Sequence, residues 1–514
     1  MKYIVAANPR AANARQVSPG LALADWRESY RIAGAIQGTA VGASALGSAT
    51  YALMGRAVSY VRRDSTVDVA RVGDLGLARV LSRRADLSLI EASPQAAQDL
   101  RAMGFQVYED VPVHPASARP WVRQRRTPSG AVPVHVEIAV LSRENGSAIR
   151  GAMVIGTMKD ASVDSRFTNS QGKARLNVTG SELEHLWVDS APGFWSWSSV
   201  QEVGAIQVPI TVYLDPLQDG HVDVLRHHYP PPPQGFSSGS GVCVGVIDTG
   251  VGPHPALSVS GGRGYGLGPF AGEWTAGSSA HGTHVAGIIC SNDERWPGVA
   301  PGATLRSYRI YEGRNEAALT FSLSHAITDA VRDGCDVINL SVVQKKHQEL
   351  VEISIGHALD AGVIVVAAAG NRGRKPLDFP ASLDGVVAVG AIGRRGLYPS
   401  TAAASQHVGD PPGRDPDDFV ASFSNHLRRH DFIAPGVGVI STLPNGGWGV
   451  MDGTSQAVPV VAGLAARVLD DTGLVRRPRS VSRASTARVE LMKRAASLGF
   501  PLDLEGKGLV DQGA

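Results

Sequence analysis

The chain has 514 residues, of which 43% are hydrophobic and 19% are charged, and its formal net charge is +2 at pH 7. This length exceeds what a single hydrophobic core usually serves, so we expect two to four folded domains, and the composition excludes a mainly disordered protein. The near-zero net charge gives no electrostatic reason to expect nucleic acid or anionic lipid as a partner.

Residues 1–115 are predicted to form a small α+β domain. Residues 2–5 and 87–91 have the composition of strands, and residues 105–108 form another candidate strand. Between the last two, Ser93 is a helix N-cap followed by Pro94 at the first helical position, and Gly104 ends the helix.

Two features near the amino terminus concern localisation. The first ten residues lack the apolar segment of a secretory signal, so we expect a cytoplasmic protein, with export by an unrecognised route as the alternative. Residues 32–54 carry no charge and are long enough to span a bilayer, but they consist mainly of Ala, Gly, Ser and Thr. We therefore expect a packed or mobile segment there and no membrane partner.

The middle of the chain is predicted to hold a β-sandwich between two linkers. Residues 116–130, rich in Arg and Pro, have the composition of an exposed linker, and residues 216–240 have that of a Pro/Gly/Ser tether. Residues 131–215 contain alternating strand patterns, and segments 149–154 and 167–174 resemble carboxypeptidase-regulatory-like sandwich modules. For Trp187, Trp195 and Trp197 we favour packing over a platform for sugar or peptide.

Residues 241–514 alternate apolar strands with amphipathic helices, which predicts a doubly wound parallel sheet of the α/β class. The three cysteines, Cys243, Cys290 and Cys335, all fall in apolar patterns of this region. We interpret them as small buried hydrophobic residues and not as nucleophiles or a disulfide framework.

Three short motifs of this region supply the groups of a nucleophilic hydrolase. Asp248 ends an apolar strand, while His281 and Ser455 each open a helical pattern. A serine hydroxyl needs an imidazole to accept its proton, and the imidazole needs a carboxylate to fix its tautomer. The developing oxyanion needs preset donors, for which we assign the side-chain amide of Asn371 and the backbone N–H of Ser455.

The sequences around these residues resemble those of the subtilisin-like (subtilase) serine proteases. The resemblance rests on Asp248-Thr249-Gly250, His281-Gly282-Thr283-His284, Ala369-Gly370-Asn371 and Gly453-Thr454-Ser455, in that chain order. It implies a serine endopeptidase that acts on protein or peptide substrates and is made as a self-processing zymogen. It also implies that the amino-terminal domain is a propeptide and intramolecular inhibitor.

The resemblance further implies that two segments bind substrate, namely Ser341, Val342 and Val343 on one side and Ala368, Ala369 and Gly370 on the other. In the family, Ser341 would be followed by Leu-Gly-Gly, whereas this chain has Val342-Val343-Gln344. A branched side chain at Val343 is expected to narrow the pocket for the residue preceding the cut. We therefore expect either a preference for small residues there or a blocked cleft.

We expect no required cofactor. An acidic loop contains Asp410, Asp415, Asp417 and Asp418, and we interpret it as exposed, with binding of a structural Ca²⁺ as the alternative. Two other functions stay open. One is a catalytically silent binding or scaffold protein with an occluded cleft, and the other is a non-peptidase serine hydrolase.

Overall fold

The computed structural model describes residues 2–6, 78–84, 87–102, 105–116, 134–159, 163–178, 182–189, 191–199, 204–205, 210–231, 235–265, 272–276, 279–311 and 318–511. The chain divides into two compact units, Met1–Val111 and Pro112–Ala514. The segment 32–54 and residues 117–130 of the first linker lie outside the described residues. Among the described residues, no helix combines the length and the apolar character needed to cross a bilayer.

The first unit is an antiparallel sheet with one helix. Its elements are β1 (Lys2–Ala6), β2 (Ala78–Arg84), β3 (Leu87–Ala92), α1 (Pro94–Ala102) and β4 (Gln106–Glu109). The strand order is β2-β3-β1-β4. Helix α1 begins at Pro94 as predicted, because the Ser93 hydroxyl accepts a hydrogen bond from the Ala96 N–H at 3.1 Å.

The second unit begins with β5 (Pro112–Pro115), which lies between two strands from much later in the chain. The boundary at residue 115 that the sequence suggested is therefore too late, because 112–115 pair within the second unit.

A β-sandwich follows. Its strands are β6 (Val134–Ser142), β7 (Met153–Met158), β8 (Val163–Phe167), β9 (Lys173–Val178), β10 (Glu182–Val188), β11 (Trp197–Ser198), β12 (Gly204–Ala205) and β13 (Ile210–Leu214). One sheet has the order β11-β10-β7-β8 with β12 beside β10, and the other has the order β13-β6-β9. Alternate residues, such as Ala174, Leu176 and Val178 of β9, face a shared apolar core.

The sandwich packs on the rest of the second unit through its tryptophans. Trp195 belongs to a buried cluster with Trp296 and Trp448, and Trp187 stacks on His407 with ring centroids 6.1 Å apart. The backbone N–H of Ala403 donates to the Ser196 carbonyl at 2.9 Å. Trp187 and Trp195 are thus packing residues.

Of the segment predicted as a tether, residues 216–240, the structure describes 216–231 and 235–240, and these parts pack on the fold. The segment contains helix α2 (Val224–His228), whose Val224 and Leu225 are buried. The Tyr229 hydroxyl donates to the Val510 carbonyl at 2.7 Å. The tether prediction is wrong because the flanking Pro and Ser/Gly runs dominate the composition, while these few apolar residues anchor the segment.

The described part of the remaining chain contains, in order, β14 (Cys243–Asp248), β15 (Val259–Gly264), α3 (His281–Cys290), β16 (Thr304–Arg309), β17 (Ala318–Leu319), α4 (Thr320–Arg332), β18 (Val337–Leu340), β19 (Val342–Val343), α5 (Glu349–Asp360), β20 (Ile364–Ala368), β21 (Val387–Arg394), β22 (Asp418–Val420), β23 (Phe432–Pro435), β24 (Val439–Leu443), β25 (Gly447–Met451), α6 (Thr454–Asp471), α7 (Val481–Arg494), β26 (Ala495–Ala496), α8 (Leu502–Glu505) and β27 (Leu509–Val510). Ten of these strands form the predicted doubly wound sheet, with the order β15-β16-β14-β18-β20-β21-β23-β27-β26 and with β22 beside β21.

Helices cover both faces of this sheet. Val244 and Val246 of β14 join an apolar cluster with α3, α6 and α7, whereas Ile247 joins a second cluster with α4 and α5. This alternation buries both faces, as a mostly parallel sheet requires. The predicted α/β fold class is confirmed, and β24 and β25 form a separate hairpin.

Candidate active site

Three neighbouring parallel strands bring the candidate residues to one edge of the sheet. Ile247 of β14 pairs with Leu340 of β18, which pairs with Ala367 of β20. The residues that follow these strands therefore emerge side by side at the carboxyl edge, where open α/β sheets place their sites. Asp248, Ser341 and the segment that leads to Asn371 all lie there.

Asp248 and His281 form a buried pair. The His281 Nδ1 lies 2.8 Å from the Asp248 Oδ1, and the exposed fractions of the two side chains are 1% for His281 and 0% for Asp248. Because a carboxylate oxygen accepts, Nδ1 carries the proton and Nε2 presents a lone pair. Within the described part of the chain this Nε2 has no hydrogen-bond partner. The imidazole is therefore held in the tautomer of a general base.

Ser455 lies in the first turn of α6, which packs against α3. Its hydroxyl donates to the Ser341 carbonyl at 3.0 Å and not to His281. The Ser341 hydroxyl in turn donates to the Ser455 carbonyl at 2.9 Å. These two bonds hold the serine at the end of β18, with its hydroxyl proton on the Ser341 carbonyl.

The Asn371 side chain is oriented by Thr454. The Asn371 Oδ1 accepts from the Thr454 N–H at 3.0 Å and from the Thr454 hydroxyl at 2.8 Å. A backbone N–H can only donate, so these bonds fix which end of the amide is oxygen. The Asn371 Nδ2 is buried and has no partner among the described residues. It is therefore an available donor beside the start of α6.

Strand β5 occupies the cleft next to these groups. It lies antiparallel to β17 and to β19, with Val113 opposite Ala318 and His114 opposite Val343. One residue beyond the strand, the Ala116 N–H donates to the Ser341 carbonyl at 3.0 Å, and the Ala116 carbonyl accepts from the Ser455 N–H at 3.0 Å. A segment of the chain itself is thus bound as an added strand that ends at the candidate nucleophile.

This strand was not predicted from the sequence, in which Ala116 falls at the start of an expected exposed linker. In the structure, Ala116 is 1% exposed. Of the predicted substrate-binding residues, Ser341, Val342 and Val343 contact the strand through the pairing just described. The second predicted segment, Ala368, Ala369 and Gly370, starts at the last residue of β20 and leads directly to Asn371. Within it, the Ala369 carbonyl accepts a hydrogen bond from the Asp378 N–H at 2.9 Å. The sequence did contain a signal for a buried segment: within residues 112–116, Val113 lies between two prolines and Ala116 follows the second.

His284, the second histidine of its motif, is structural. Burial lowers its pKa to about 3, and its Nε2 donates to the Val439 carbonyl at 3.1 Å. A neutral imidazole that donates from Nε2 and stays buried does not shuttle protons at neutral pH. Its role is therefore to join α3 to β24.

Asp452, three residues before Ser455, belongs to a second titratable pair, which the sequence did not suggest. Burial raises the pKa of Asp452 to about 7, and the Asp452 Oδ1 accepts from the Gly438 N–H at 2.6 Å. Burial lowers the pKa of His407 to about 4, and its Nε2 lies 3.9 Å from the Asp452 Oδ2. Both side chains are therefore neutral over the range between these two pKa values.

The acidic loop has an arginine as its partner. The Arg394 Nη1 lies 2.8 Å from the Asp415 Oδ2 and 2.9 Å from the Asp418 Oδ1, and its Nη2 lies 3.7 Å from the Asp417 Oδ2. Across the described residues, no group of three or more His, Cys, Asp or Glu side chains is placed to hold a metal ion.

Comparisons with known proteins agree with this class of site. The sequence model of the Subtilase family matches residues 239–499. Subtilisin BL of Lederbergia lenta is 34% identical over 276 residues, which cover 53% of this chain and 90% of that protein. Subtilisin DY of Bacillus licheniformis is 32% identical over 286 residues, which cover 54% of this chain and 91% of that protein.

Among solved structures, a mutant of the protease domain of PatA is 26% identical in sequence, with a TM-score of 0.44. The match covers 54% of this chain and 94% of that chain. The strand-helix alternation and the sequence matches define a serine peptidase of the α/β class. The chain belongs to the subtilase family and is a subtilisin-like serine endopeptidase.

Proposed function

We propose that Asp248, His281 and Ser455 are the catalytic triad, that Asn371 and the Ser455 N–H form the oxyanion hole, and that the chain is a zymogen that cuts itself after Ala116. The observation that supports this most is the hydrogen bond from the Ser455 N–H to the Ala116 carbonyl. It puts one carbonyl of the chain against a donor at the start of the nucleophile's helix.

The proton transfers follow from the tautomer of His281. Its Nδ1–H is held by Asp248, so Nε2 is the atom that accepts the Ser455 proton. For this step the Ser455 hydroxyl turns from the Ser341 carbonyl toward the imidazole, a rotation about one side-chain bond. The carboxylate then stabilises the imidazolium that forms.

Bond making and breaking proceed at the Ala116 carbonyl. The Ser455 oxygen attacks the carbonyl carbon, and the negative charge develops on the oxygen that the Ser455 N–H already contacts. The Asn371 Nδ2, buried and without a partner among the described residues, supplies the second donor. The imidazolium gives its proton to the Ser117 nitrogen as that bond breaks, and water then hydrolyses the acyl-serine.

The same strand accounts for latency. As long as residues 112–116 fill the space between β17 and β19, another peptide cannot pair there. The amino-terminal segment is therefore proposed as an intramolecular inhibitor that is released after the cut. Protein or peptide segments in an extended conformation then enter by the same pairing.

Intact-mass analysis of the wild type beside Ser455→Ala tests the proposal. We expect the wild type to lose its amino-terminal segment, and Ser455→Ala to stay intact. We also expect a fluorophosphonate to label the processed wild type at Ser455.

The alternative is a silent scaffold with an occluded cleft. It is favoured by the Ser455 hydroxyl, which donates to Ser341 and not to His281, and by the filled cleft. A wild type that stays uncut and resists the fluorophosphonate would establish it and overturn the protease proposal for this chain.

A further inference from the structure

The residues of the self-bound strand differ in how deeply their side chains are buried. Val113, Pro115 and Ala116 are buried, whereas His114 is half-buried and Pro112 is exposed. Main-chain pairing of an added strand accepts many sequences, but each buried side chain must fit the wall around it. The burial pattern therefore separates the positions that select a sequence from those that do not.

Val113, the fourth residue before the proposed cut, enters an apolar pocket. It is fully buried and belongs to the same apolar cluster as Ala318, Leu323 and Val342. Helix α4 also contacts this strand. A smaller residue leaves part of the pocket empty, and a charged one finds an apolar wall.

Pro115, the second residue before the cut, fits the hydrogen bonding of the cleft. Proline has no N–H, and the donor in this part of the strand is the next residue, since the Ala116 N–H bonds to the Ser341 carbonyl at 3.0 Å. Its ring fixes its own φ and disfavours the helical conformation of His114 before it. The segment is thus already close to extended, so less conformational entropy is lost on binding.

Ala116, the residue before the cut, is enclosed. It is 1% exposed and belongs to a buried apolar cluster other than that of Val113. Val343 packs against this cluster. Because Ala116 is enclosed, a larger side chain at this position would have to displace its neighbours.

We propose that the processed enzyme selects this same pattern in other proteins: an extended segment with an aliphatic residue, any residue, proline, and alanine or a residue of similar size before the cut. Val343 is the residue that sets the size limit at the last position. The proposal rests on the proposed function, since it takes residues 112–116 as a bound substrate. The preferred targets are accordingly proline-containing, extended segments such as linkers between domains.

The test uses internally quenched peptides that copy residues 111–120 and the processed wild-type enzyme. Replacing the residue that corresponds to Val113 by Ala, or Ala116 by Phe, is expected to lower kcat/KM by about tenfold or more, and replacing Pro115 by Ala by several-fold. The matched control replaces His114 by Ala, where kcat/KM is expected to stay within about twofold because this side chain is half-buried. In the Val343→Gly enzyme, the ratio of kcat/KM for the Phe peptide to that for the Ala peptide is expected to rise by about tenfold.

Equal kcat/KM for all these peptides would overturn the selectivity while hydrolysis itself upholds the proposed function. An unchanged Phe-to-Ala ratio in Val343→Gly would overturn the role given to Val343. Absence of hydrolysis for every peptide, together with no fluorophosphonate labelling of Ser455, would overturn both proposals.

Discussion

Asn371 shows how a single side chain is prepared for its proposed role. Both of its bonds to Thr454 use Oδ1, which leaves the Nδ2 hydrogens available. A donor that is already oriented costs no reorganisation when the oxyanion forms, so its effect falls on the transition state. Ground-state binding, in contrast, depends mainly on the strand pairing with β17 and β19.

Replacing Asn371 by Ala is therefore expected to lower kcat by about 10²–10³ with little change in KM. Steady-state kinetics on the processed enzyme give this result directly. Because the substitution also removes the acceptor of the Thr454 N–H, the Tm is measured in parallel to show that α6 still forms. An unchanged kcat would mean that other donors build the oxyanion hole.

Asp452 is expected to make stability depend on pH. Its pKa in the folded protein is about 7, raised by burial from 3.8, so the folded state keeps a proton that the unfolded state releases. Its stabilising contribution is fully present below the unfolded pKa and is lost as pH rises through the folded pKa. Asp452→Asn keeps the acceptor for the Gly438 N–H but cannot ionise.

The measurement is made in a Ser455→Ala background. The Tm of the Asp452→Asn variant minus the Tm of the protein that keeps Asp452 should therefore be larger at pH 8 than at pH 5. The exposed Asp384 provides the control, since Asp384→Asn should give the same Tm difference at both pH values. A difference for Asp452→Asn that does not change with pH would contradict the burial argument.

At this scale, the sequence was informative where a short motif marks a candidate residue. Asp248, His281, Asn371 and Ser455 could be named because each sits in its own short motif. The Asp452 and His407 pair could not, since its burial arises from the packing of separate elements, among them Trp187 of the sandwich. A local pattern contains no information about such a neighbour.

At the scale of elements, the short helix α2 connects the sandwich to the sheet. Its N-cap, Asp223, is fully buried and accepts from the Ile440 N–H at 2.7 Å. The Arg226 Nη1 donates to the Asp223 Oδ2 at 2.9 Å and to the Ile440 carbonyl at 2.6 Å. This buried ion pair ties α2 to β24, which packs beside α3.

We expect Asp223→Ala to lower the free energy of unfolding by about 3–5 kcal/mol, because it leaves the buried Arg226 without its counter-charge. Denaturant unfolding in the Ser455→Ala background measures the change. The control is Asp219→Ala, which removes an exposed ion pair to Arg295 and should cost less than about 1 kcal/mol. Equal effects of the two substitutions would show that α2 is not anchored in this way.

Elements with strong periodicity were predictable, and elements defined by distant partners were not. The parallel strands around β14 and β18 are continuous apolar runs, which is what burial on both faces produces. Strand β5 has four residues and contains two prolines, so it resembled the end of a linker. Its cleft partners lie far along the chain, with Gln344 and Pro112 separated by 232 positions.

At the scale of the whole molecule, the sandwich belongs to the same compact unit as the peptidase fold. Trp195 packs with Trp296 and Trp448, and the Gly193 N–H donates to the Trp448 carbonyl at 2.8 Å. A cut after Ala116 would therefore separate the chain before the sandwich begins at β6. The processed enzyme is expected to keep the sandwich as part of its folded unit.

Amino-terminal sequencing of the processed wild type locates the cut and so tests whether the strand in the cleft is a bound substrate. Because the Ala116 carbonyl accepts from the Ser455 N–H, we expect the processed chain to begin at Ser117 and the Ser455→Ala chain to keep its original start. A first cut elsewhere, or the same cut in Ser455→Ala, would contradict the assignment of residues 112–116 to the cleft of a self-processing protease.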